Sequence, residues 1–261
     1  MKSRHYSLEQ RLVEPFRAIR SLQITPAVLV SSGLSFVLFL LAWWFGREGI
    51  FHIWSEILRL LIRFTDQPWQ VSSGFWPEFA KPIVTLPKLI AAVPPPSVFI
   101  WWSATLVGVL LFFISGTWRP SFLPFRSTTR FILFLLSVSL ACFAIRPMQF
   151  QHSVEEWSKI YFLGAYGSIV VYAIIWTCGV LWFPISNWVK LFASLLLLFY
   201  FFVGVPFLLF LSALALHYTS LLFLPLFALA FAPLLQLGWF IAFYSLALSS
   251  GADPTKEIAF E

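Results

Sequence analysis

Between Leu191 and Ala252 the chain contains no Asp, Glu, Lys or Arg. A bilayer crossing needs about 20 apolar residues in helical form, so this run holds two crossings with a turn between them. The sequence His217-Tyr218-Thr219-Ser220 supplies that turn. A charge at mid-bilayer costs several kcal/mol, and the same ruler applied elsewhere picks out Ser21–Gly46, Leu89–Trp118, Phe131–Ile145 and Ile160–Val189 as further charge-free stretches. The expected fold is all-α: a polytopic transmembrane helical bundle of about six spans, at 26–45, 97–117, 129–147, 161–182, 189–214 and 219–248. The third is the shortest, because Arg130 and Arg146 bracket it. The helix between them is roughly 22 Å long at 1.5 Å per residue. Snorkelling arginines would complete a crossing; a re-entrant segment would invert the topology of everything after it.

Composition agrees. Charged residues are 11% of the chain and hydrophobic ones 60%, against about 25% charged in soluble domains. Aromatic residues reach 20%, with 31 Phe and 13 Trp, rings suited to lipid contact and the headgroup interface. The net charge is +6, and its basic residues flank the apolar runs. That pattern points to anionic lipid headgroups and away from nucleic acid. Cys142 and Cys178 lie inside apolar runs and read as small core residues, not as a disulfide or metal pair. The polar residues before the first apolar run outnumber those of a normal signal-peptide n-region, so no cleavable signal is expected.

The expected organisation is an inner-surface amphipathic segment (1–25), one transmembrane domain (26–250) with a membrane-hugging outer loop (46–96), and a polar tail (251–261). With the N-terminus inside, Lys2, Arg4, Arg11, Arg17, Arg20, Arg119, Arg126, Arg130, Lys190 and Lys256 fall on the inner side. Arg47, Arg59, Arg63, Lys81, Lys88, Arg146 and Lys159 fall outside. The bias follows the positive-inside rule, and Trp43, Trp44, Trp101, Trp102, Trp118, Trp182 and Trp188 all sit at span ends. The expected location is a bacterial cytoplasmic membrane, with both termini inside.

Two segments outside the spans carry helical patterns. Ser7-Leu-Glu-Gln10 is a capping-box start, after which Leu8, Leu12, Phe16 and Ile19 recur at helical spacing in a basic amphipathic helix interrupted by Pro15. From Gly49 to Phe64, His52, Ser55, Glu56, Arg59 and Arg63 form one polar stripe on an otherwise apolar segment, which predicts an interfacial helix. The stretch from Trp76 to Leu89 repeats this more loosely, broken by Pro82 and Pro87.

Catalytic motifs are missing from the sequence: there is no H-E-x-x-H, no G-x-S-x-G, no Walker loop and no clustered carboxylates. The histidines His5, His52, His152 and His217 sit near span ends or in loops, not mid-span where a haem or pigment would need them. No enzymatic activity, cofactor or metal is expected. Two groups of residues invite contact. Arg17, Arg20, Arg119, Arg126 and Arg130 are candidate lipid or partner contacts on the inner side. Glu155, Glu156, Arg146, His152 and Lys159 form the densest polar cluster, which reads either as an outer contact or ion site or as a solvated connector. Within the spans, Gly204 and Pro206 interrupt the fifth, and Pro225 and Pro233 the sixth, with Gln236 close behind. Broken helices of this kind mark substrate paths in transporters and also occur as passive kinks.

The stretch Glu14-Pro-Phe-Arg-Ala-Ile-Arg20, leading into the first span, resembles the opening of bacterial Yip1-domain membrane proteins. The loop Gly116-Thr-Trp-Arg-Pro-Ser-Phe122, followed by Ser127-Thr-Thr-Arg130, is similar to that family's glycine-plus-phenylalanine loop. Gly116 stands alone where the family carries a glycine pair, and six spans exceed its usual five. The resemblance implies a multi-pass protein without enzymatic activity. The sequence is thus expected to encode a non-enzymatic subunit or scaffold that packs against partner membrane proteins and lipid. The alternative is a permease or channel subunit with a path along the kinked fifth and sixth helices.

Overall fold

The computed structural model describes residues 26–75, 85–118, 122–145, 153–181 and 186–250. Helices α1 (Pro26–Phe45) and α2 (Arg47–Thr65) lead to strands β1 (Gln70–Phe75) and β2 (Thr85–Ile90). Then come α3 (Val98–Gly116), α4 (Leu123–Ile145) and α5 (Val154–Trp176), the last running on into a π-helical turn, Thr177–Leu181. Helix α6 (Asn187–Phe199) passes through a second π turn, Tyr200–Gly204, into α7 (Val205–Tyr218). A short 3-10 turn, the single turn α8 (Leu224–Leu226) and a third π turn, Phe227–Phe231, deliver the chain to α9 (Ala232–Ser250).

Five of these segments are long and apolar enough to cross a membrane: Val98–Gly116, Phe125–Ile145, Val154–Val180, Asn187–Tyr218 and Leu221–Ser249. The protein is an all-α, polytopic integral membrane protein. The short third span of the sequence reading is a full helix of 21 residues. The first differs from expectation. Helix α1 meets α2 at Gly46 with a 65° bend, and the two together qualify as one broken span or a re-entrant loop. Hydrogen bonding carries through the bend, from Gly46 N–H to Ala42 O and from Ile50 N–H to Gly46 O.

Local signals explain the helix ends. Ser97 and Ser153 cap α3 and α5, their hydroxyls accepting from the N–H groups of Ile100 and Glu156, which satisfies donors the first turn leaves free. Glu155 and Glu156 also place negative charge at the positive end of α5. Helix α2 stops at Asp66, in the left-handed conformation (φ 53°), with Gln67 N–H reaching back to Ile62 O in the manner of a Schellman cap.

The loop expected at 46–96 is half as expected. Its first part is the amphipathic helix α2, with Ile50, Phe51, Trp54, Leu58 and Ile62 buried and His52, Glu56, Arg59 and Arg63 exposed. In its second part the described residues are strands, not a loose helix. Strands β1 and β2 pair antiparallel, from Gln70 opposite Ile90 to Phe75 opposite Thr85. Pro87 forbids a helix interior there, and Leu86 and Leu89 are buried. The hairpin leans on α5 through Leu89 N–H, which donates to Ser158 Oγ at 3.0 Å. The expected amphipathic helix at 1–25 and the tail at 251–261 lie outside the described residues.

Aromatic rings build much of the core. Phe39, Trp43, Tyr166, Phe51, Trp54, Phe162 and Tyr161 form a continuous chain of ring contacts that ties α1 and α2 to α5. Trp43 and Tyr166 are joined reciprocally, each side chain donating to the other's carbonyl at 3.3 and 3.0 Å. A separate cluster joins Ala104 of α3, Leu136, Leu140 and Phe143 of α4, and Leu222. Cys142 and Cys178, read from sequence as core residues, are both exposed. In a membrane the lipid-facing surface is as apolar as the core, so an apolar run does not say which way a small side chain points.

Candidate functional site

The site grows from two prolines. Pro206 has no N–H, and its ring in an α-helix collides with the carbonyl four residues back. The backbone widens ahead of it: Val205 N–H donates to Tyr200 O, five residues back. Pro233 is preceded in the same way, with Ala232 N–H bonded to Phe227 O. Each π turn ends two residues before its proline. Pro225, by contrast, opens α8, where a missing N–H costs little. Pro206 and Pro233, inside their spans, each follow a π turn, a feature frequent at functional sites, whereas Pro225 stands in the first turn of its helix.

The turn before Pro206 leaves a carbonyl to be satisfied. In an α-helix Phe201 O would take Val205 N–H, and in a continued π-helix it would take the donor that Pro206 lacks. Trp54 of α2 takes this place instead, its indole N–H donating to Phe201 O at 3.0 Å in a fully buried setting. One turn further along, Tyr161 of α5 donates its hydroxyl to Val205 O at 3.1 Å. Gln236 of α9 donates in turn to the Tyr161 hydroxyl at 3.3 Å. Gln236 is only 8% exposed. Four elements, α2, α5, α7 and α9, are thus joined by polar contacts inside an apolar core. The Tyr200 hydroxyl, on the same π turn, is buried without a hydrogen-bond partner among the described residues. Its ring lies against Trp239 and Phe243 and covers Gly204 so closely that an added Cβ would collide with it.

Beside this network lies a partly open, mainly apolar cavity of about 240 Å³. Helices α1, α5 and α6 wall it, with Phe39, Ile169, Ala173, Leu197 and Phe201 among the lining residues. Three hydroxyls, of Ser35, Thr177 and Ser194, face it as well, and Trp176 closes one side by donating its indole N–H to Ser194 Oγ at 3.0 Å.

The acidic cluster takes a definite form. Glu155 bridges Lys88 of β2 at 3.0 Å and Lys159 of its own helix at 3.7 Å. The Glu155 carboxylate, hydrogen-bonded to the Lys88 ammonium, holds that lysine above its ordinary value. Arg146 and His152 lie outside the described residues. Of the candidate basic contacts, Arg17, Arg20 and Arg119 also lie outside them. Arg126 and Arg130 stand on the first turns of α4, and the Arg130 guanidinium sits 5.4 Å from the centre of the Phe112 ring of α3.

Gly204 and Pro206 adjoin the carbonyls that Trp54 and Tyr161 serve, and Gln236 bonds Tyr161, whereas Pro225 stands at the start of the last span and Pro233 well inside it. Trp54, Tyr161 and Tyr200 were missed by sequence reasoning. The available signal was chemical: a Trp or Tyr inside an apolar core needs a partner for its polar edge, and helix-breaking prolines provide carbonyls in search of donors. Among the described residues no group of three or more His, Cys, Asp or Glu is placed to hold a metal ion.

No family model, curated protein or solved structure matches this chain.

Proposed function

We propose that the chain is a non-enzymatic membrane subunit or scaffold that packs against partner membrane proteins and lipid. The observation that carries this reading is the placement of α3 and α4. They form an arm held to the rest of the bundle around Leu222, and only 11% of the α3 span is buried. Phe99, Trp102, Leu106, Leu110 and Phe113 are exposed along it. Such a face is covered in the bilayer either by lipid or by helices of another protein. The faint likeness to Yip1-domain proteins points to the same non-enzymatic class, as does a buried polar network engaged in holding helices together.

Extraction in mild detergent and mass spectrometry of co-purifying proteins tests the proposal. A subunit or scaffold comes out with stoichiometric partners that cross-link to α3; a chain that purifies alone, without partner cross-links in the native membrane, overturns it.

A permease or channel subunit is the second reading, favoured by the π turns before Pro206 and Pro233 and by the Tyr200 hydroxyl buried on the first of them. On this reading Gln236→Leu abolishes substrate flux in proteoliposomes while the protein stays folded. Membrane orientation belongs to the proposal too. Ser35 of α1 and Thr177 line one cavity, and Tyr244 of α9 lies against Gly179, so the start of α1 and the end of α9 approach the same end of the bundle. We place that end on the inner face of a bacterial cytoplasmic membrane.

A further inference from the structure

The cavity between α1, α5 and α6 has a charged neighbour. Ser194, Leu197, Leu198 and Phe201 line it from α6, and Lys190 precedes them on the same helical face, four residues before Ser194. Residues at this spacing stack one above the other along a helix. Lys190 is therefore about one turn, roughly 5.4 Å, nearer the N-terminal end of α6 than the cavity lining. A long side chain on a helix leans further toward that end, a direction that carries Lys190 away from the cavity lining and toward the end of the bundle where α6 begins. Lys190 itself is half-buried. The N-terminus of α6 adds positive potential there, and the Ser186 side chain makes no capping hydrogen bond to it.

An apolar slot open to the side and ending near a cation has one complement within a bilayer. We propose that the cavity and Lys190 together bind one anionic phospholipid, a single acyl chain lying along Phe39, Ala173 and Leu197 and the headgroup phosphate meeting the Lys190 ammonium. Two features of the slot fit this occupant. The lining is mainly apolar, as an acyl chain requires, and its hydroxyls lie where the ester region of the lipid enters. The charge is a lysine, a compact ammonium that pairs with phosphate without needing a fixed geometry. The second acyl chain remains in the surrounding bilayer. This inference holds for a scaffold and a permease alike.

The full chain, reconstituted in nanodiscs of equimolar phosphatidylglycerol and phosphatidylcholine and released for native mass spectrometry, provides the test. The expected result is one retained phosphatidylglycerol per chain. Lys190→Gln lowers the retained ratio of phosphatidylglycerol to phosphatidylcholine about fivefold, the effect of one basic residue near a membrane surface. Ala173→Phe fills the slot and removes the retained lipid. Ser35→Phe does the same from the exposed edge, where among the described residues the hydroxyl bonds to Ser31 O of its own helix, so the test survives should Ala173→Phe fail to fold. Equal retention of the two lipids by the wild type, absence of any retained lipid, or retention unchanged by Lys190→Gln and Ser35→Phe would each overturn the proposal.

Discussion

Single side chains here act mainly by completing what the backbone leaves open. Trp54 serves a carbonyl that its own helix cannot serve. Trp54→Phe keeps the ring and removes the donor, leaving Phe201 O buried and unpaired. Such a group costs about 1–3 kcal/mol, and the unfolding midpoint in detergent is expected to fall accordingly. Gln236→Leu is milder, since the Tyr161 hydroxyl keeps its bond to Val205 O. Hydrogen bonds between membrane helices average about 0.6 kcal/mol, and the change in stability should be of that order. Gly204→Ala tests packing. A methyl there strikes the Tyr200 ring, which Trp239 and Phe243 hold from the other side, and overpacking of this kind costs about 1–3 kcal/mol. Tyr200→Leu in the same chain should recover most of that loss, and a double-mutant cycle measures the recovery directly.

The hairpin shows how an element is fastened. Strand β2 is held to α5 by Leu89 N–H on Ser158 Oγ and by Lys88 on Glu155. Ser158→Ala leaves a buried amide without its partner, so faster hydrogen exchange at Leu89 is the expected reading, with α7 unaffected. The lysine adds a pH term. Its value is raised in the fold by the Glu155 carboxylate, so its contribution is complete below the ordinary 10.5. The contribution is lost as the pH rises through the raised value, and the unfolding midpoint of wild type should approach that of Lys88→Met in that window. Neither fastening was legible in the sequence, because Lys88 and Glu155 stand 67 residues apart. The spans themselves were legible, since absence of charge is a local property that a bilayer enforces residue by residue. Helix α2 was also legible from its polar stripe. Strand β2 was not, because Leu86 and Leu89 satisfy the spacing of a helix as well as a buried strand, and only the pairing with β1 decides between them.

At the level of the whole molecule, the described helices divide into a tightly joined group around α5, α7 and α9 and the more exposed arm of α3 and α4. Side-specific labelling checks the proposed arrangement. A cysteine in place of Arg59, exposed on α2, is expected to react from the outer side of intact cells. One placed after Ser250 should react only once the membrane is opened.

The π turn before Pro206 also changes how the long fifth span keeps time. The buried residues Ala193, Leu197, Phe201, Val205, Leu209 and Ala213 recur at every fourth position. On a regular helix of 3.6 residues per turn such a series drifts about 40° at each step and soon winds off its neighbour. One surplus residue, absorbed where the coil is wider, turns the seam back toward the core. Removing Val203 should therefore close the turn into ordinary helix and set the two halves of the span out of phase. In a deletion scan read by yield of folded protein, this loss should be strong, and adding one alanine beside Gly204 in the same chain should reverse it.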